Sequence, residues 1–563
     1  MAFLCATAAW TVPVSADGLV ILRTSFSLLL TGSFRLAPPP PGAWLDPYLF
    51  RTPPGGAPGV DFGYQPLGAL VRAALLAPVG LLPPGLLRGR VADGVLQLLP
   101  LLLTALTVVP LARLARLAGC ARRTAPALAS ALVLATFLGP LGRSDFQEPF
   151  VVFLGVFSLE RILVSRRLAG SRRLKALSLG GGLAALALLA KPTAFVLWPA
   201  LLLAAARPLR RPARARDFAA LAAGAAPGLA AFFILNAVRF GSPLDFGYRF
   251  GRFLPGAERV SVVWTALRLT ILPNRGVLWF APLLLLALFV PMRRRLAEPL
   301  RTDCGAALVA AGGFFAANLW WWAWEGGFGW GPRLLAPAVA LFMPWLAGHG
   351  RTWRRAAFLL ALAGLALNLP AYFLDDGRIY AVSRTRPSPG IPLGPVVPRH
   401  GEAGAPGRVH PYQRVHYVPS EASWLEGPGI LFTLCAFGDG SEAGGAAGDE
   451  RKDSALLRLL LGRPALHAVS GVGRLLLDDA EVAAEVDPRR ALRYARAAID
   501  FGGPPVDARA LSSMLLLRGG RAAEAARMCR EALALDPGRA DVRSNLALAE
   551  KMLERAAGSL PPG

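Results

Sequence analysis

Ten long apolar stretches, separated by short arginine-rich segments, constrain the fold of this chain most strongly. A bilayer core needs roughly 17–25 apolar residues in one spanning helix. The stretches are 95–112, 124–140, 149–164, 176–190, 192–206, 218–238, 276–292, 304–322, 334–348 and 356–373. Residues 1–16 are also apolar but lack the basic start of a signal peptide, so we interpret them as part of one more span whose true start codon lies upstream. The pattern therefore predicts an all-α polytopic transmembrane bundle of about 11 spans.

The composition agrees with this interpretation and excludes other classes of protein. Hydrophobic residues make up 54% of the 563 residues, charged residues only 17%, and the mean hydropathy is +0.45. Soluble domains carry about 25% charged residues, so an ordinary soluble enzyme and a disordered chain are both excluded. The net charge of +25 could indicate nucleic acid binding, but the arginines lie between apolar segments. We therefore predict membrane lipid as a partner and no nucleic acid.

The basic segments also predict the orientation in the membrane. They are Arg113–Arg123, Arg161–Lys175, Arg207–Arg216, Arg293–Arg301 and Arg351–Arg355. All five lie on the cytoplasmic side, as the positive-inside rule requires, only if residues 66–82 lie at the interface or re-enter the membrane instead of crossing it. We then expect a multi-pass protein of the bacterial inner (cytoplasmic) membrane with a cytoplasmic N-terminus and a periplasmic C-terminal tail.

In this topology, the ionisable residues at the opposite ends of the spans from the five basic segments lie on the periplasmic face. Ionisable residues at the ends of spans are costly and are functional candidates by default. The five cysteines are scattered without a CxxC pair and four of the five histidines lie after residue 399. The sequence therefore signals no cofactor, with a divalent metal ion left as an alternative, and catalysis in the membrane part would have to use carboxylates. The candidates are Asp17 and Glu148 for catalysis, and Arg143, Asp145, Lys191, Arg239, Glu325 and Arg333 for substrate binding.

A chemical role follows from these residue types. A carboxylate with a raised pKa can accept a proton from an acceptor hydroxyl, and arginine or lysine can hold a phosphate leaving group. The structural alternatives stay open: Asp17 as a helix cap, Arg143 and Asp145 as a solvated turn, Glu148 as a helix-start residue and Lys191 as a snorkelling side chain. The tryptophans at 320–324 are equally compatible with an interfacial belt and with a pocket wall.

The C-terminal part has a different pattern. Residues 376–453 are rich in Pro and Gly and predict an irregular periplasmic linker, whereas residues 454–563 are Ala-rich with helical periodicity. Val506–Arg539 fits a tetratricopeptide-like unit of about 34 residues, with a generic Ala-rich hairpin as the alternative. The motif positions are Leu516, Gly520, Ala525, Cys529, Ala532 and Pro537. Such a TPR-like tail commonly binds a protein partner.

Several strings of residues 1–375 resemble motifs of one enzyme superfamily. They are Val12-Pro-Val-Ser-Ala-Asp17, Arg23-Thr-Ser-Phe-Ser-Leu-Leu-Leu-Thr-Gly32, Tyr64-Gln-Pro66, Phe146-Gln-Glu-Pro149, Arg239-Phe-Gly-Ser-Pro-Leu-Asp-Phe-Gly-Tyr248, Asn274-Arg-Gly276, Phe280-Ala-Pro282 and Gly329-Trp-Gly-Pro-Arg333. In this order they resemble the GT-C membrane glycosyltransferases, in particular the protein mannosyltransferase and lipid A aminoarabinose transferase group.

The resemblance implies a polyprenyl-phosphate sugar as donor, transfer on the periplasmic face and usually inversion at the anomeric carbon. It also implies an acidic pair in the first loop; Asp17 matches the first acid, but Gly18 stands where the second is expected. Lys191, Arg239 and Arg333 match the basic positions approximately. The alternative is a catalytically degenerate scaffold whose tail recruits envelope-assembly partners. A transporter is the weaker interpretation, because the sequence has no evident inverted repeat.

Overall fold

A computed structural model of the protein describes residues 16–36, 50–51, 61–62, 66–143, 146–206, 211–247, 262–288, 298–321, 326, 330–347, 354–372, 471–485 and 487–558. These residues are mostly helical, as the sequence predicts. Their strands are β1 (Phe50–Arg51) and β2 (Asp61–Phe62), which pair antiparallel with Phe50 opposite Phe62. The predicted linker 376–453 lies outside the described residues.

Most helices before residue 373 overlap the apolar stretches but have different ends, whereas Ala16–Thr31, Leu67–Leu76 and Val262–Thr270 lie outside the ten stretches. In chain order they are α1 Ala16–Thr31, α2 Leu67–Leu76, α3 Leu86–Leu117, α4 Thr124–Leu134, α5 Leu138–Leu141, α6 Glu148–Ser165, α7 Gly170–Ala190, α8 Leu197–Ala206, α9 Arg211–Phe240, α10 Val262–Thr270, α11 Val277–Phe280, α12 Leu285–Leu288, α13 Glu298–Leu319, α14 Ala336–Leu341, α15 Met343–Ala347, α16 Arg354–Asn368, α17 Gly471–Ala483, α18 Pro488–Asp500, α19 Pro505–Arg518, α20 Ala522–Leu535 and α21 Ala540–Gly558. Short 3₁₀ turns cover Pro78–Leu81, Pro192–Val196, Pro282–Leu284, Arg333–Leu335 and Leu369–Tyr372.

Four helical segments of the described chain are long and apolar enough to cross a bilayer. They are Leu87–Leu117, Gly170–Ala190, Ala215–Phe240 and Arg355–Tyr372. Other predicted spans are shorter or interrupted: proline starts the 3₁₀ turn at Pro282 and lies inside the segment 336–347, and Glu160 and Arg161 add charge to α6. These segments indicate a membrane protein, and the count of about 11 spans stays a prediction.

The chain divides into two compact units. Of the described residues, the first unit contains 16–19, α3 from Gln97 onward, α4 to α8, α9 up to Asn236, and α10 to α16. The second unit contains α1 from Val20 onward, α2, residues 86–96, residues 237–247 and the tail helices α17 to α21. The predicted domains, 1–375, 376–453 and 454–563, stay predictions.

Small residues let helices of the first unit approach closely. A Cβ atom on Gly181 of α7 would lie 2.1 Å from the Leu221 carbonyl oxygen of α9, and one on Gly224 would lie 1.8 Å from the Ser178 carbonyl oxygen. Glycines at such crossings allow backbone-to-backbone packing, which is the usual solution where no hydrophobic force acts between helices. α6 packs along α7, and α13 packs against α8 and α14.

In the second unit, the tail forms a series of helices in which each packs on the next. Asp487 caps α18 by accepting a hydrogen bond of 3.0 Å from the Arg490 backbone N–H, and Pro488 follows at the first helical position. α19 and α20 form a hairpin at the residues predicted for the repeat unit, with Leu516, Ala525, Cys529 and Ala532 fully buried. The interpretation of this hairpin as a tetratricopeptide unit stays a prediction.

Candidate functional site

Glu148 stands at the first position of α6, where local sequence explains both the helix start and the acid. Pro149 fits the first turn because it has no N–H to satisfy there, and a carboxylate suits the positive end of the helix dipole. The Glu148 side chain is only 3% exposed. The helix-start reading and the functional reading of Glu148 are therefore compatible, and its burial requires a compensating partner.

Lys191 supplies this partner. It lies directly after α7, which ends at Ala190 because Pro192 disfavours helical backbone at the preceding residue. Lys191 accordingly has an extended conformation, with φ −154° and ψ 128°. Its Nζ donates a hydrogen bond of 2.6 Å to Glu148 Oε1. Its side chain is 17% exposed, so the ammonium group is directed mainly toward protein and not toward solvent.

Arg333 completes the cluster from the start of a 3₁₀ turn. Its NH1 atom lies 3.9 Å from Glu148 Oε2, and its guanidinium lies 3.5 Å from the centroid of the Phe146 ring. The Arg333 Nε also donates to the Gly326 carbonyl oxygen. The planar guanidinium group can make the ion pair and the stacking contact together, which a lysine cannot do. We name Glu148, Lys191 and Arg333 the charge cluster.

The turn that carries Arg333 is held by contacts that the sequence alone did not assign. Arg275, which is 1% exposed, donates to the Gly331 carbonyl oxygen. Trp330 Nε1 donates to Asn368 Oδ1 at 2.9 Å, and the Trp330 ring meets the Phe280 ring edge to face. Gly331 has a φ of +65°, which favours glycine. Arg275 lies within the string Asn274-Arg-Gly276; a basic residue among apolar ones was the available signal for it.

The remaining predicted residues lie elsewhere or outside the description. Arg143 is buried, and its NH1 donates a hydrogen bond of 2.8 Å to the Ala371 carbonyl oxygen, so it is not a solvated turn residue. Arg239 belongs to the second unit, where its guanidinium lies 4.7 Å from the Phe240 ring centroid. Asp17 lies in the first turn of α1, but its side chain is outside the described part of the chain, as are Asp145 and Glu325.

Among the described side chains, the charge cluster combines one carboxylate with two cations at a water-poor position. Such a group suits an anion, because electrostatic attraction is less screened where water is excluded. Within the described residues, no group of three His, Cys, Asp or Glu side chains is arranged to hold a metal ion.

No protein-family model, curated protein or solved structure matches this chain.

Proposed function

We propose that the protein is an integral-membrane glycosyltransferase that moves a sugar from a polyprenyl-phosphate donor to a lipid, glycan or protein acceptor on the periplasmic face. The observation that supports this most is the pairing of Lys191 and Arg333 with the buried Glu148. The three residues come from separate helix ends, and all belong to the face that the topology assigns to the periplasm. A lipid phosphate would reach these helix ends at headgroup depth.

The proposed reaction is a single displacement. The oxygen of the acceptor hydroxyl forms a bond to the anomeric carbon while the bond between that carbon and the phosphate oxygen breaks. The hydroxyl proton passes to the carboxylate of Asp17, the proposed general base. Polyprenyl phosphate leaves with the bonding electron pair, and the cations of Lys191 and Arg333 stabilise the charge that develops on it.

Glu148 has an assisting role in this proposal. With no donor bound, its carboxylate holds both cations in place and compensates their burial. When a phosphate binds, Lys191 can keep its hydrogen bond to Glu148 and Arg333 its ion pair while other N–H groups of both side chains bind the phosphate, because arginine and lysine each have several donors. Arg143, Asp145 and Glu325 are proposed to bind the donor more remotely, and Arg239, which belongs to the second unit, stays a predicted substrate-binding residue.

Transfer from a labelled donor tests the proposal. The full chain in lipid nanodiscs is incubated with a panel of radiolabelled polyprenyl-phosphate sugars and bacterial envelope extract, and label in the acceptor fraction is measured. We expect transfer from at least one donor and an at least ten-fold loss in Arg333→Gln. Arg122→Gln is the matched control, because Arg122 is exposed between α3 and α4, within the predicted cytoplasmic segment Arg113–Arg123. No transfer from any donor, or equal transfer in Arg333→Gln, would contradict the proposal.

One specific observation favours a second function. Gly18 replaces the second acid that the resemblance implies, which favours a scaffold that binds lipid without catalysis and uses its tail to recruit envelope-assembly partners. Quenching of tryptophan fluorescence measures the binding of polyprenyl phosphate and, together with the transfer assay, separates the two functions. A scaffold binds the lipid phosphate but transfers no sugar.

A further inference from the structure

The first hairpin of the tail, α17 with α18, is bound to α1 by charged side chains. Arg23 Nε of α1 lies 2.6 Å from Asp479 Oδ1 of α17, and these side chains are 29% and 13% exposed. Arg490 of α18 donates a hydrogen bond of 2.9 Å to the Ser27 hydroxyl of α1 and another to the Arg35 carbonyl oxygen. The contact is thus made by two charged tail residues that lie on different helices.

Aromatic packing accompanies these polar contacts. The rings of Phe26 and Phe501 meet edge to face, with centroids 5.9 Å apart, and both side chains are buried. Edge-to-face pairs of buried rings contribute about 0.5–1.5 kcal/mol beyond the burial of their area. The hairpin is therefore packed on α1 and is not merely tethered to it by exposed ion pairs.

Residues 85–93 hold the same hairpin at both of its ends. The Gly85 backbone N–H donates a hydrogen bond of 2.7 Å to the Asp500 carbonyl oxygen at the end of α18. The Val472 N–H, at the start of α17, donates a hydrogen bond of 2.9 Å to Asp93 Oδ1. First-turn N–H groups have no partner within their own helix, so Asp93 stabilises the start of α17 from a distant part of the chain.

We propose that Arg23 is a positioning residue for the glycosyl transfer proposed above, on which this inference rests, and that it fixes α1 on the tail hairpin by neutralising the buried Asp479. Asp17, the proposed base, lies in the first turn of the same helix, six residues before Arg23. At a rise of about 1.5 Å per residue, Arg23 is roughly 9 Å along the helix axis from Asp17. A helix transmits a change of position over this distance, because its backbone hydrogen bonds make it stiff. The tail then serves α1 of its own chain.

The surroundings of Asp479 make this contact sensitive to pH. Burial raises the pKa of Asp479 to about 7, although Arg23 and Arg490 oppose the rise and Asp478 adds to it. The groups that face Asp479 are Arg23 from α1, Arg490 and Tyr494 from α18, and Asp478 on its own helix. A released Asp479 has a pKa of about 3.9, so docking takes up a proton between about pH 4 and pH 7 and weakens as the pH rises through that range.

Arg23 should matter only when Asp479 is ionised, and this gives a test with a built-in control. Amide hydrogen exchange of residues 16–31 is measured on the full chain in nanodiscs at pH 5.5 and pH 8, after correction for the intrinsic exchange rates. In Arg23→Gln we expect exchange at least ten-fold faster than wild type at pH 8 and little changed at pH 5.5. Asp479→Asn imitates the protonated acid and should remain protected at both pH values. Arg530→Gln is the control, because Arg530 is 62% exposed and pairs with Glu550, away from the groups that face Asp479.

Turnover is measured on the same proteins. We expect kcat of Arg23→Gln to fall at least ten-fold at pH 8, with KM for the donor unchanged, and to approach wild type at pH 5.5. Equal exchange in Arg23→Gln and wild type at pH 8, or fast exchange without loss of kcat, would overturn the inference. If the wild-type protein transfers no sugar, the proposed glycosyl transfer and the positioning role that rests on it both fail, and the exchange measurement then decides separately whether the tail fixes α1.

Discussion

Lys191 and Glu148 form a buried ion pair with 2.6 Å between Nζ and Oε1, and they join the end of α7 to the start of α6. The two helices pack along each other, so the pair closes the end of a packed helix pair. A buried carboxylate without a partner is strongly unfavourable, and this gives the pair a structural role in addition to the proposed binding role. The predictions below separate the two roles.

The structural role predicts non-additive stability effects. Among the described residues, Lys191→Met leaves the buried Glu148 with Arg333 as its charged partner. We expect the free energy of unfolding to fall by about 3 kcal/mol, at the low end for a broken buried pair because Arg333 remains. Adding Glu148→Gln removes the carboxylate that has lost its Lys191 hydrogen bond and should recover part of the loss, with a coupling of about 1–3 kcal/mol. Denaturant unfolding in bicelles measures the cycle; additive effects would show that the pair does not couple.

The proposed catalytic role of Asp17 predicts an effect on turnover that is separate from donor binding. Asp17→Asn removes the proposed base without removing either cation, so turnover should fall by about 10²–10⁴-fold while binding of polyprenyl phosphate stays within two-fold of wild type. Glu550→Gln is the control, because Glu550 is a half-exposed acid of the tail, with 47% exposure. Unchanged turnover in Asp17→Asn would remove Asp17 from the catalytic role.

The turn before Arg333 predicts a contrast between two glycines. Gly331→Ala places a methyl group in a left-handed backbone conformation, with its Cβ 3.0 Å from Phe280 Cγ and 3.1 Å from Phe137 Cβ. We expect a loss of about 1–3 kcal/mol in the free energy of unfolding, together with weaker binding of polyprenyl phosphate. Gly305→Ala, inside α13 with nothing within 4 Å of the new Cβ, should instead be neutral or stabilising by up to about 1 kcal/mol.

The topology predicts which side of the membrane the tail occupies. In sealed inside-out vesicles, residues 471–558 should resist trypsin until detergent is added, because a periplasmic tail lies in the lumen of such vesicles. An epitope inserted at 207–210, in a predicted cytoplasmic loop, should be cleaved without detergent and is the control. Cleavage of the tail in intact vesicles would reverse the predicted orientation and move the charge cluster to the cytoplasmic face.

Much of the helical structure could be predicted from local sequence, because a helix depends on residues near one another in the chain. The end of α7 at Ala190 follows from Pro192, the start of α6 from Glu148-Pro149, and the hairpin of α19 and α20 from small residues at fixed spacing. The number of membrane spans could not be predicted as directly as the helices, since proline interrupts several apolar stretches and their helices in the structure are short.

The sequence by itself determined that the chain is apolar, helical and charged at a few helix ends, and it selected Glu148, Lys191 and Arg333 as candidates. Only the tertiary structure decided that these three side chains share one contact, that Arg275 supports the turn before Arg333, and that the tail hairpin packs on α1. The physical reason is that composition and periodicity act over a few turns of helix. Ion pairs such as Arg23 with Asp479 depend on which distant helix ends the packing brings together.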